Sequence, residues 1–363
     1  MDSYKKRIKK MIKKLLAYVT IVYWKIRPLQ KSNKPVAFLF HVSKWKQPYM
    51  SAFFERYDLR FVPFDYKLTF LRFELEKYQN KVFIVWSFNI DPELCKYAQK
   101  HHIPVYRMED GFVRSKGLGA MHTPPYSLCI DKKGMYFDSS QPSDLEDILN
   151  TYNFKEDKPL LSQAEQGIKL LTELGISKYN HLEKKNIDEI YGPKTKKRIL
   201  VVGQVEDDAS ILKGSMHPWT NNDLVLIASK ENPDAEIIYK PHPDVLTGRR
   251  KKQSDPNDIK HLANVIEVPL SLVDSFQTID HLYTITSLSG FEALLRDIPV
   301  TTLGAPFYSG WGLTDDRQPI DRRKRKLSVE ELFAGAYILY PKYRDPYTKE
   351  KLTLEETIER INK

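Results

Sequence analysis

The amino-acid sequence predicts an α/β fold class with two Rossmann-like domains that face a cleft. Two series of apolar runs support this prediction. In the first, Val36–Phe40 and Lys81–Trp86 alternate with helical stretches, a pattern typical of parallel strands covered on both faces. The second series opens at Ile199–Val202, after a polar stretch. The chain of 363 residues is long enough for two domains of ordinary size.

Residues 1–30 predict a basic amphipathic helix that lies on a membrane surface. Lysine and arginine are dense there, and Asp2 is the one acidic residue. Apolar residues recur near the helical period, so one face is apolar and the other is cationic. Such a helix suits an anionic bilayer surface, whereas the longest apolar run, Leu15–Trp24, is too short to span a membrane. An amphipathic helix packed on its own domain is the alternative.

Composition narrows the class of protein further. The net charge of +10 is uneven, and no nucleic-acid reader motif accompanies it, so nucleic acid is not a predicted partner. Cys95 and Cys129 lie in apolar runs without a metal-ligand spacing, which is typical of reduced thiols. No small-residue cleavage site follows the basic segment. We therefore expect a cytoplasmic protein that is peripheral on the inner membrane.

The first domain is predicted to span residues 31–190, and its strands end in polar side chains. The second domain is predicted to span residues 191–330. The closing residues 331–363 are expected to be helical, and Ser328 followed by Glu331 resembles a capping box.

A charged loop follows a predicted strand, Val105–Met108. Glu109 and Asp110 begin the loop, and nearby glycines let the backbone approach a substrate closely. Arg114 and Lys116 can hold anionic groups, Arg114 with a bidentate fork. We predict that one carboxylate is catalytic and that both basic residues bind an anionic substrate. A loop-bracing ion pair between Glu109 and Arg114 is the structural alternative.

A lysine and a histidine stand at the end of a strand in the second domain. The run Ile237–Tyr239 leads into Lys240 and His242. Prolines flank His242, so its backbone is fixed and its imidazole projects from a rigid turn. The pair can bind a phosphate, and His242 can also protonate a leaving phosphate. A histidine that merely packs the turn is the alternative.

Small hydroxyl residues follow the next candidate strand, Leu282–Ile285. Ser287, Ser289 and Gly290 can present backbone N–H groups to an anion at a helix N-terminus, and Glu292 lies within that helix. Doubly wound sheets bind nucleotides at such strand ends. Together with the lysine–histidine turn and the aromatic PFYSGWG loop, this segment predicts a nucleotide phosphate site. A simple helix N-cap is the alternative.

The loop after Ile199–Val202 carries Gln204 and three consecutive acids, Glu206, Asp207 and Asp208. We assign Gln204 and Glu206 to the substrate cleft. The acids lack the alternating spacing of a calcium loop, so no metal site is predicted. Asp207 or Asp208 is expected to cap the following turn.

Taken in order, several motifs resemble the capsule polysaccharide biosynthesis family, which includes KpsC-like β-Kdo glycosyltransferases, where Kdo is 3-deoxy-D-manno-oct-2-ulosonic acid. The resemblance covers roughly residues 109–343. Its motifs are EDGFVRSKGLG, DKKGMYFD, VVGQVEDDASI, YKPHPDV, TSLSGFEALLRDIPVTTLGAPFYSGWGLTDDR and LFAGAYILYPKY. The capsule enzyme usually carries two transferase modules in tandem, and this chain carries one.

The resemblance implies a GT-B-like glycosyltransferase without a cofactor. It implies CMP-Kdo as donor and transfer with retention of the β configuration onto a lipid-linked saccharide at the cytoplasmic membrane. By motif matching, Asp110 is the catalytic aspartate. The residues implied to bind CMP are Lys240, His242, Ser287, Ser289 and Gly290. Retention requires two inversions if Asp110 attacks the anomeric carbon, and an internal-return route with electrostatic help from Asp110 is the alternative.

The sequence is also compatible with two other functions. The acceptor could be a Kdo-containing capsule or O-antigen repeat, with the chain as one component of a polymerase. Alternatively, the chain could be a non-catalytic membrane-associated scaffold for other capsule biosynthesis and export proteins. The intact EDGF and KPHP loops argue against a scaffold, which has no need of them.

Overall fold

The computed structural model of the protein describes residues 2–26, 33–115, 122–176, 185–250 and 253–362. The chain forms two compact units, and each contains one sheet. The first unit comprises Met1–Gly111, Pro124–Lys132 and Lys342–Leu352. The second comprises Phe112–Thr123, Lys133–Pro341 and Thr353–Lys363. The predicted α/β class with two Rossmann-like domains is confirmed.

The first sheet has six strands. They are β1 (Val36–Phe40), β2 (Asp58–Phe61), β3 (Lys81–Trp86), β4 (Val105–Asp110), β5 (Ser127–Asp131) and β12 (Pro341–Tyr343). Their spatial order is β12-β5-β4-β3-β1-β2. The strands β1 to β4 pair in parallel, and β5 pairs with β4 in antiparallel fashion. The polar side chains that follow β1, β3 and β4 therefore lie along one edge of the sheet.

Apolar residues on both faces of the first sheet form its core. The rings of Phe40 and Phe83 pack with their centroids 5.2 Å apart, and both side chains are buried. The helices of this unit are α1 (Asp2–Ile26), α2 (Gln47–Phe53), α3 (Leu68–Leu75) and α4 (Pro92–Lys100). The α4 helix begins after Asp91, whose carboxylate accepts a hydrogen bond from the Glu93 N–H at 2.9 Å.

The N-terminal helix α1 is both packed and exposed. Ala17, Ile21 and Trp24 are buried, and the helix contacts α3. Other apolar side chains on α1, Met11 and Leu15 among them, are 67% and 61% exposed. The predicted amphipathic helix is therefore present, and its packing on its own unit leaves a second apolar surface uncovered. Within the described residues, no helix has the length and apolar character needed to cross a membrane.

The second sheet also has six strands. They are β6 (Arg198–Val202), β7 (Glu236–Lys240), β8 (Asn264–Val265), β9 (His281–Thr284), β10 (Val300–Thr302) and β11 (Asp315–Asp316). They pair in parallel in the order β11-β10-β9-β6-β7-β8. The neighbours β9, β6 and β7 therefore bring three loops to one edge of the sheet.

Helices cover the second sheet and fill the rest of its unit. They are α5 (Asp144–Thr151), α6 (Lys158–Glu173), α7 (Ile187–Tyr191), α8 (Ala209–Gly214), α9 (Asn221–Glu231), α10 (Pro243–Leu246), α11 (Leu272–Ser275), α12 (Leu288–Leu294), α13 (Val329–Phe333) and α14 (Leu354–Asn362). A 3₁₀ helix spans Pro256–Ile259, and a π-helical turn, Ala334–Leu339, continues α13. The capping box between Ser328 and Glu331 is confirmed.

The division of the chain differs from the boundary predicted near residue 190. Residues 133–190 belong to the second unit, because α6 packs against α13 and α14. A side chain at Gly167 of α6 would meet the Phe333 ring at 2.9 Å, which shows how closely the helices approach. The closing segment is also not wholly helical, since Pro341–Tyr343 forms the edge strand β12 of the first sheet.

Candidate functional site

Asp110 lies at the carboxyl end of β4, as the last residue of that strand. The backbone continues through Gly111, whose N–H donates to the Ser127 carbonyl oxygen at 3.0 Å. A Cβ atom at Gly111 would lie 2.2 Å from the Ser127 hydroxyl oxygen, so only glycine fits here. The close approach of β4 and β5 thus fixes the backbone that presents the Asp110 carboxylate.

Lys46 is the residue of this site that sequence reasoning missed. Its ammonium group donates to both carboxylate oxygens of Asp110, each at 3.0 Å. The same ammonium group lies 3.5 Å from the centroid of the Trp86 ring, and Lys46 is only 8% exposed. Charge-assisted hydrogen bonds of this kind are about twice as strong as neutral ones. The Asp110 carboxylate is therefore held in one orientation by a buried cation.

One histidine and one serine at the carboxyl edge of the first sheet have left-handed backbone conformations. His41 follows β1 with a φ of 58°, and Ser87 follows β3 with a φ of 54°. Non-glycine residues seldom adopt this conformation, and when they do they cluster at functional sites. The Ser87 N–H donates to the Met108 carbonyl oxygen at 2.9 Å, which ties the end of β3 to β4. Burial lowers the pKa of His41, so its imidazole is neutral near pH 7.

The other residues predicted in this loop have different surroundings. The Glu109 carboxylate accepts a hydrogen bond from the Asp110 N–H at 3.2 Å. Arg114 belongs to the second unit, is 2% exposed, and donates to the Ser115 hydroxyl and the Thr123 carbonyl oxygen. Arg114 therefore closes its own loop, and its assignment to the donor stays a prediction. Lys116 lies outside the described residues.

Lys240 ends β7 in the second sheet and is 6% exposed. Burial lowers the pKa of its ammonium group to about 8. Within the described part of the chain, no hydrogen bond or ion pair holds this ammonium group. A buried cation without a protein partner is costly unless an anion meets it. Lys240 is therefore well suited to an anionic ligand.

His242 is the N-cap residue of the short helix α10. Its Nδ1 atom accepts a hydrogen bond from the Asp244 N–H at 3.1 Å. Since Nδ1 is an acceptor, the proton of the neutral imidazole is on Nε2. The half-exposed ring can then donate from Nε2, as a phosphate ligand requires. His101 and His102 are exposed.

Gln204 connects the loops that follow β6 and β9. Its side-chain oxygen accepts from the Thr286 N–H at 2.8 Å, and its side-chain nitrogen donates to the Thr286 hydroxyl at 3.1 Å. Ser287 then caps α12, because its hydroxyl accepts from the Ser289 N–H at 3.2 Å. The Ser289 hydroxyl oxygen is buried and has no hydrogen-bond partner among the described residues. The predicted N-cap is thus present, and it leaves one polar group next to it available for a ligand.

The aromatic PFYSGWG loop is hydrogen-bonded to the turn at Ser287. The Tyr308 hydroxyl donates to the Ser287 carbonyl oxygen at 2.5 Å. The loop itself is held by Arg323, whose guanidinium donates to the carbonyl oxygens of Pro306 and Ser309. Gly290 lies against Tyr308, and a Cβ atom there would be 2.2 Å from the tyrosine hydroxyl oxygen. Glycine is therefore required by the close packing of α12 against the PFYSGWG loop.

Gly290→Ala should destabilise the protein by about 1–3 kcal/mol, because the added methyl group overpacks the contact with Tyr308. Urea unfolding of the purified variant measures this loss. Tyr308→Phe removes the clashing oxygen atom, so the double variant should recover part of the stability that Gly290→Ala loses. Losses that simply add in the double variant would show that the two residues do not compete for this space.

The three consecutive acids have structural partners. Glu206 accepts hydrogen bonds from the Asn221 N–H and from Ser254. Asp207 pairs with Arg250 at 2.5 Å, and Asp208 caps α8 by accepting from the Ser210 N–H. The expectation of a cap is confirmed for Asp208. Glu206 anchors the start of α9, and its donor-binding role stays a prediction. Among the described residues, no group of three metal-ligating side chains converges.

Glu292 is 5% exposed within α12. It helps to line a small cavity together with Arg296, whose guanidinium donates to the Glu292 carbonyl oxygen at 2.9 Å. Burial lowers the pKa of Arg296, and the nearby Glu292 carboxylate opposes that effect.

Eight of the predicted site residues fall into two groups. One is at the carboxyl edge of the first sheet and contains Glu109, Asp110 and the unpredicted Lys46. The other is at the carboxyl edge of the second sheet. Its members, on neighbouring strand ends, are Gln204, Lys240, His242, Ser287, Ser289 and Gly290.

Comparison with known proteins assigns the chain to one family. Residues 93–343 match the family described as "Capsule polysaccharide biosynthesis protein". The chain is 45% identical over 311 residues to the lipopolysaccharide-processing protein LpsZ of Rhizobium meliloti, across 86% of this chain and 70% of LpsZ. It is 40% identical over 317 residues to the capsule polysaccharide modification protein LipA of Neisseria meningitidis serogroup A. That alignment covers 86% of this chain and 44% of LipA, so the chain spans less than half of LipA.

Two solved structures are also similar over nearly the whole chain. One is described as Thermosulfurimonas dismutans KpsC, beta Kdo 2,4 transferase, with a TM-score of 0.76 and 30% identity over 92% of this chain and 99% of that one. The other is described as the beta Kdo 2,7 transferase of the same KpsC, with a TM-score of 0.70 and 33% identity over 90% and 98%. The chain therefore belongs to the capsule polysaccharide biosynthesis family.

Proposed function

We propose that the protein is a retaining β-Kdo glycosyltransferase that uses CMP-Kdo and needs no cofactor. Its acceptor is a lipid-linked saccharide in capsule polysaccharide biosynthesis. The observation that carries the proposal is the Asp110 carboxylate, oriented by Lys46 at the end of β4. Support also comes from the two similar structures, which are described as β-Kdo transferases.

In this proposal the first sheet supplies the nucleophile. An oxygen atom of Asp110 attacks the anomeric carbon of Kdo, and the bond from that carbon to the CMP oxygen breaks. The electron pair of the broken bond stays on the phosphate of CMP. The acceptor hydroxyl then attacks the same carbon, the bond from that carbon to Asp110 breaks with its electron pair returning to the carboxylate, and the hydroxyl proton passes to solvent. Two inversions at one carbon give net retention.

The second sheet supplies the nucleotide site. The buried Lys240 ammonium group compensates the phosphate charge, and His242 donates to a phosphate oxygen from Nε2. The Ser289 hydroxyl provides a further donor beside the Ser287 cap. Because the phosphate gains charge as the bond breaks, these donors stabilise the transition state more than the bound donor.

A donor panel tests the proposal. The purified protein is incubated with a Kdo-terminated acceptor and with CMP-Kdo, CMP-sialic acid or UDP-N-acetylglucosamine, and nucleotide release is measured. We expect wild type to release nucleotide from CMP-Kdo and not from the other two donors. The Asp110→Asn variant should release none from any donor. Absence of release from every nucleotide sugar would overturn the transferase proposal and favour a scaffold. With CMP-Kdo as donor, the assay is repeated with a lipid-linked saccharide and with a Kdo-containing capsule or O-antigen repeat as acceptor. Transfer to the repeat alone would change the acceptor to that of a polymerase component.

We also propose that α1 attaches the protein to the anionic inner-membrane surface. Its exposed apolar side chains include Leu15, Leu16 and Val19, which are 61%, 56% and 53% exposed. Exposed lysines, Lys13 and Lys14, lie in the same helix. Apolar side chains beside lysines match the boundary between acyl chains and anionic headgroups.

Replacing Leu15, Leu16 and Val19 together by glutamine should lower binding to phosphatidylglycerol vesicles by roughly tenfold or more, because burial of each apolar side chain is lost. Co-sedimentation at low and high salt measures this binding. The buried residues Ala17, Ile21 and Trp24 are left intact, since they pack within the first unit.

The matched control replaces exposed apolar residues elsewhere, Leu226 and Val268, by glutamine. Vesicle binding should be unchanged in this control, and transfer to a soluble acceptor should be unchanged in both variants. Equal vesicle binding by wild type and the α1 variant would refute the membrane role of the helix.

A further inference from the structure

Lys46 is built into the site more firmly than an ordinary surface lysine. It precedes α2, is 8% exposed, and contacts Asp110 and Trp86, which lie on two neighbouring strands. An ammonium group has three N–H donors, and here both carboxylate oxygens of Asp110 accept from it. The Trp86 ring contacts the same group from another side, which limits where the cation can move.

The chemistry of a 2-ulosonic acid sets a particular problem for this carboxylate. In such a sugar, the C1 carboxylate is bonded directly to the anomeric carbon. A nucleophile ready to attack that carbon lies about 3–3.5 Å away from it. The attacking Asp110 oxygen therefore also comes close to the C1 carboxylate of the donor, because that group is bonded directly to the anomeric carbon. Two like charges at such a separation repel strongly in a site shielded from water.

We propose that Lys46 is a positioning and specificity-determining residue that bridges Asp110 and the C1 carboxylate of the donor. This inference rests on the proposed function. When the donor binds, one N–H of Lys46 moves from an Asp110 oxygen to the donor carboxylate, while another keeps its hydrogen bond to Asp110. The released Asp110 oxygen regains its lone pair for attack, and no proton is transferred. The site thereby selects sugars that carry an anionic group at the anomeric carbon.

In this role Lys46 links the resting arrangement of Asp110 to the choice of donor. A carboxylate with both oxygens bound to an ammonium group is a weak nucleophile, so the pair seen here is a resting arrangement. A donor that carries its own carboxylate can compete for the same cation. A neutral sugar cannot, and it would leave Asp110 fully engaged by Lys46.

A two-donor comparison tests this role. Transfer is measured with CMP-Kdo and with its C1 carboxamide, for wild type, Lys46→Met and Lys46→Arg. We expect wild type to prefer CMP-Kdo by about a hundredfold in kcat/KM, as for loss of a charged hydrogen-bond partner. Lys46→Met should lose about a hundredfold with CMP-Kdo and far less with the carboxamide, so the preference disappears. Lys46→Arg should restore part of it.

The matched control is Lys100→Met, an exposed lysine that ends α4 in the same unit. It should retain the kinetics of wild type with both donors. Thermal unfolding of each variant is recorded, and if Lys46→Met does not fold, Lys46→Gln replaces it in the same comparison.

Two results would overturn the inference alone. One is an equal loss with both donors, which would make Lys46 a support for Asp110 without donor selectivity. The other is an unchanged rate in Lys46→Met. If wild type itself turns over neither donor, the proposed function fails and the inference fails with it.

Discussion

Asp110→Asn should lower the rate of Kdo transfer by several orders of magnitude, because the nucleophile is lost. CMP affinity should stay within about twofold of wild type, since Asp110 acts at the anomeric carbon and not on the nucleotide. Asparagine keeps the shape of the side chain and one acceptor for Lys46. Steady-state kinetics and calorimetry with CMP measure the two quantities on the same preparation.

Glu109→Gln is the matched control for this variant. Side chains alternate along a strand, so Glu109 and Asp110 point to opposite faces of the first sheet, and a modest effect is expected for Glu109. Near-normal turnover in Asp110→Asn together with loss in Glu109→Gln would transfer the nucleophilic role to Glu109.

The covalent route has a separate signature. With CMP-Kdo and no acceptor, intact-protein mass spectrometry of wild type should reveal one Kdo attached at Asp110. An active enzyme that never shows this adduct would support the internal-return route, in which Asp110 gives only electrostatic help.

Lys240→Met should weaken CMP binding by about 10- to 150-fold, the equivalent of about 1.5–3 kcal/mol for a hydrogen bond to a charged group. The reason is that Lys240 offers a buried ammonium group without a protein partner among the described residues. Calorimetry with CMP measures the change. An unchanged affinity would show that CMP does not bind at the carboxyl end of β7.

The pH dependence of CMP binding follows from the same residue. Burial lowers the pKa of Lys240 to about 8 in the unliganded protein, so the group is charged below that pH and neutral above it. CMP affinity should therefore fall by about tenfold between pH 7 and pH 9. Binding near pH 8 should take up protons, because the phosphate favours the charged lysine. Lys240→Arg should lose this pH dependence, since arginine stays charged throughout.

Stability provides an independent check on Lys240. The pKa of the folded state lies below that of the unfolded chain, so the unfolded chain binds more protons between these values. The charged lysine thus opposes folding at pH 7. Lys240→Met should melt at an unchanged or higher temperature while losing CMP affinity. A lower melting temperature would indicate that Lys240 has a structural role instead.

Much of the fold was predictable because buried parallel strands correspond to short apolar runs in the sequence. The predicted bounds of β1 and β3 coincide with the observed ones, and both strands are buried on both faces. The strand β8 is confined to Asn264–Val265, since Val268 is exposed and a proline follows it. The compact units divide the chain differently from the boundary predicted near residue 190, because an amphipathic helix such as α6 does not specify its partner.

The positions of the candidate site residues were predictable where a motif directly follows an apolar strand. Asp110, Lys240 and the Ser287 turn each stand directly at a strand end. Lys46 was missed because it is 64 residues from Asp110 along the chain, and only the pairing of β1, β3 and β4 brings it there. Gln204, which we assigned to the substrate cleft, lies beside the Ser287 turn, and its amide group is bonded to Thr286. Sequence gives no signal for such internal bonding.

The most direct test of the account is the anomeric configuration of the product. Wild-type protein is incubated with CMP-Kdo and a synthetic Kdo-terminated acceptor, and the purified product is analysed by NMR spectroscopy. A retaining transfer gives a β-linked Kdo on the acceptor, with one CMP released for each Kdo transferred. An α-linked product would contradict retention at Asp110, and CMP-Kdo left intact in the presence of every Kdo acceptor would contradict the transferase itself.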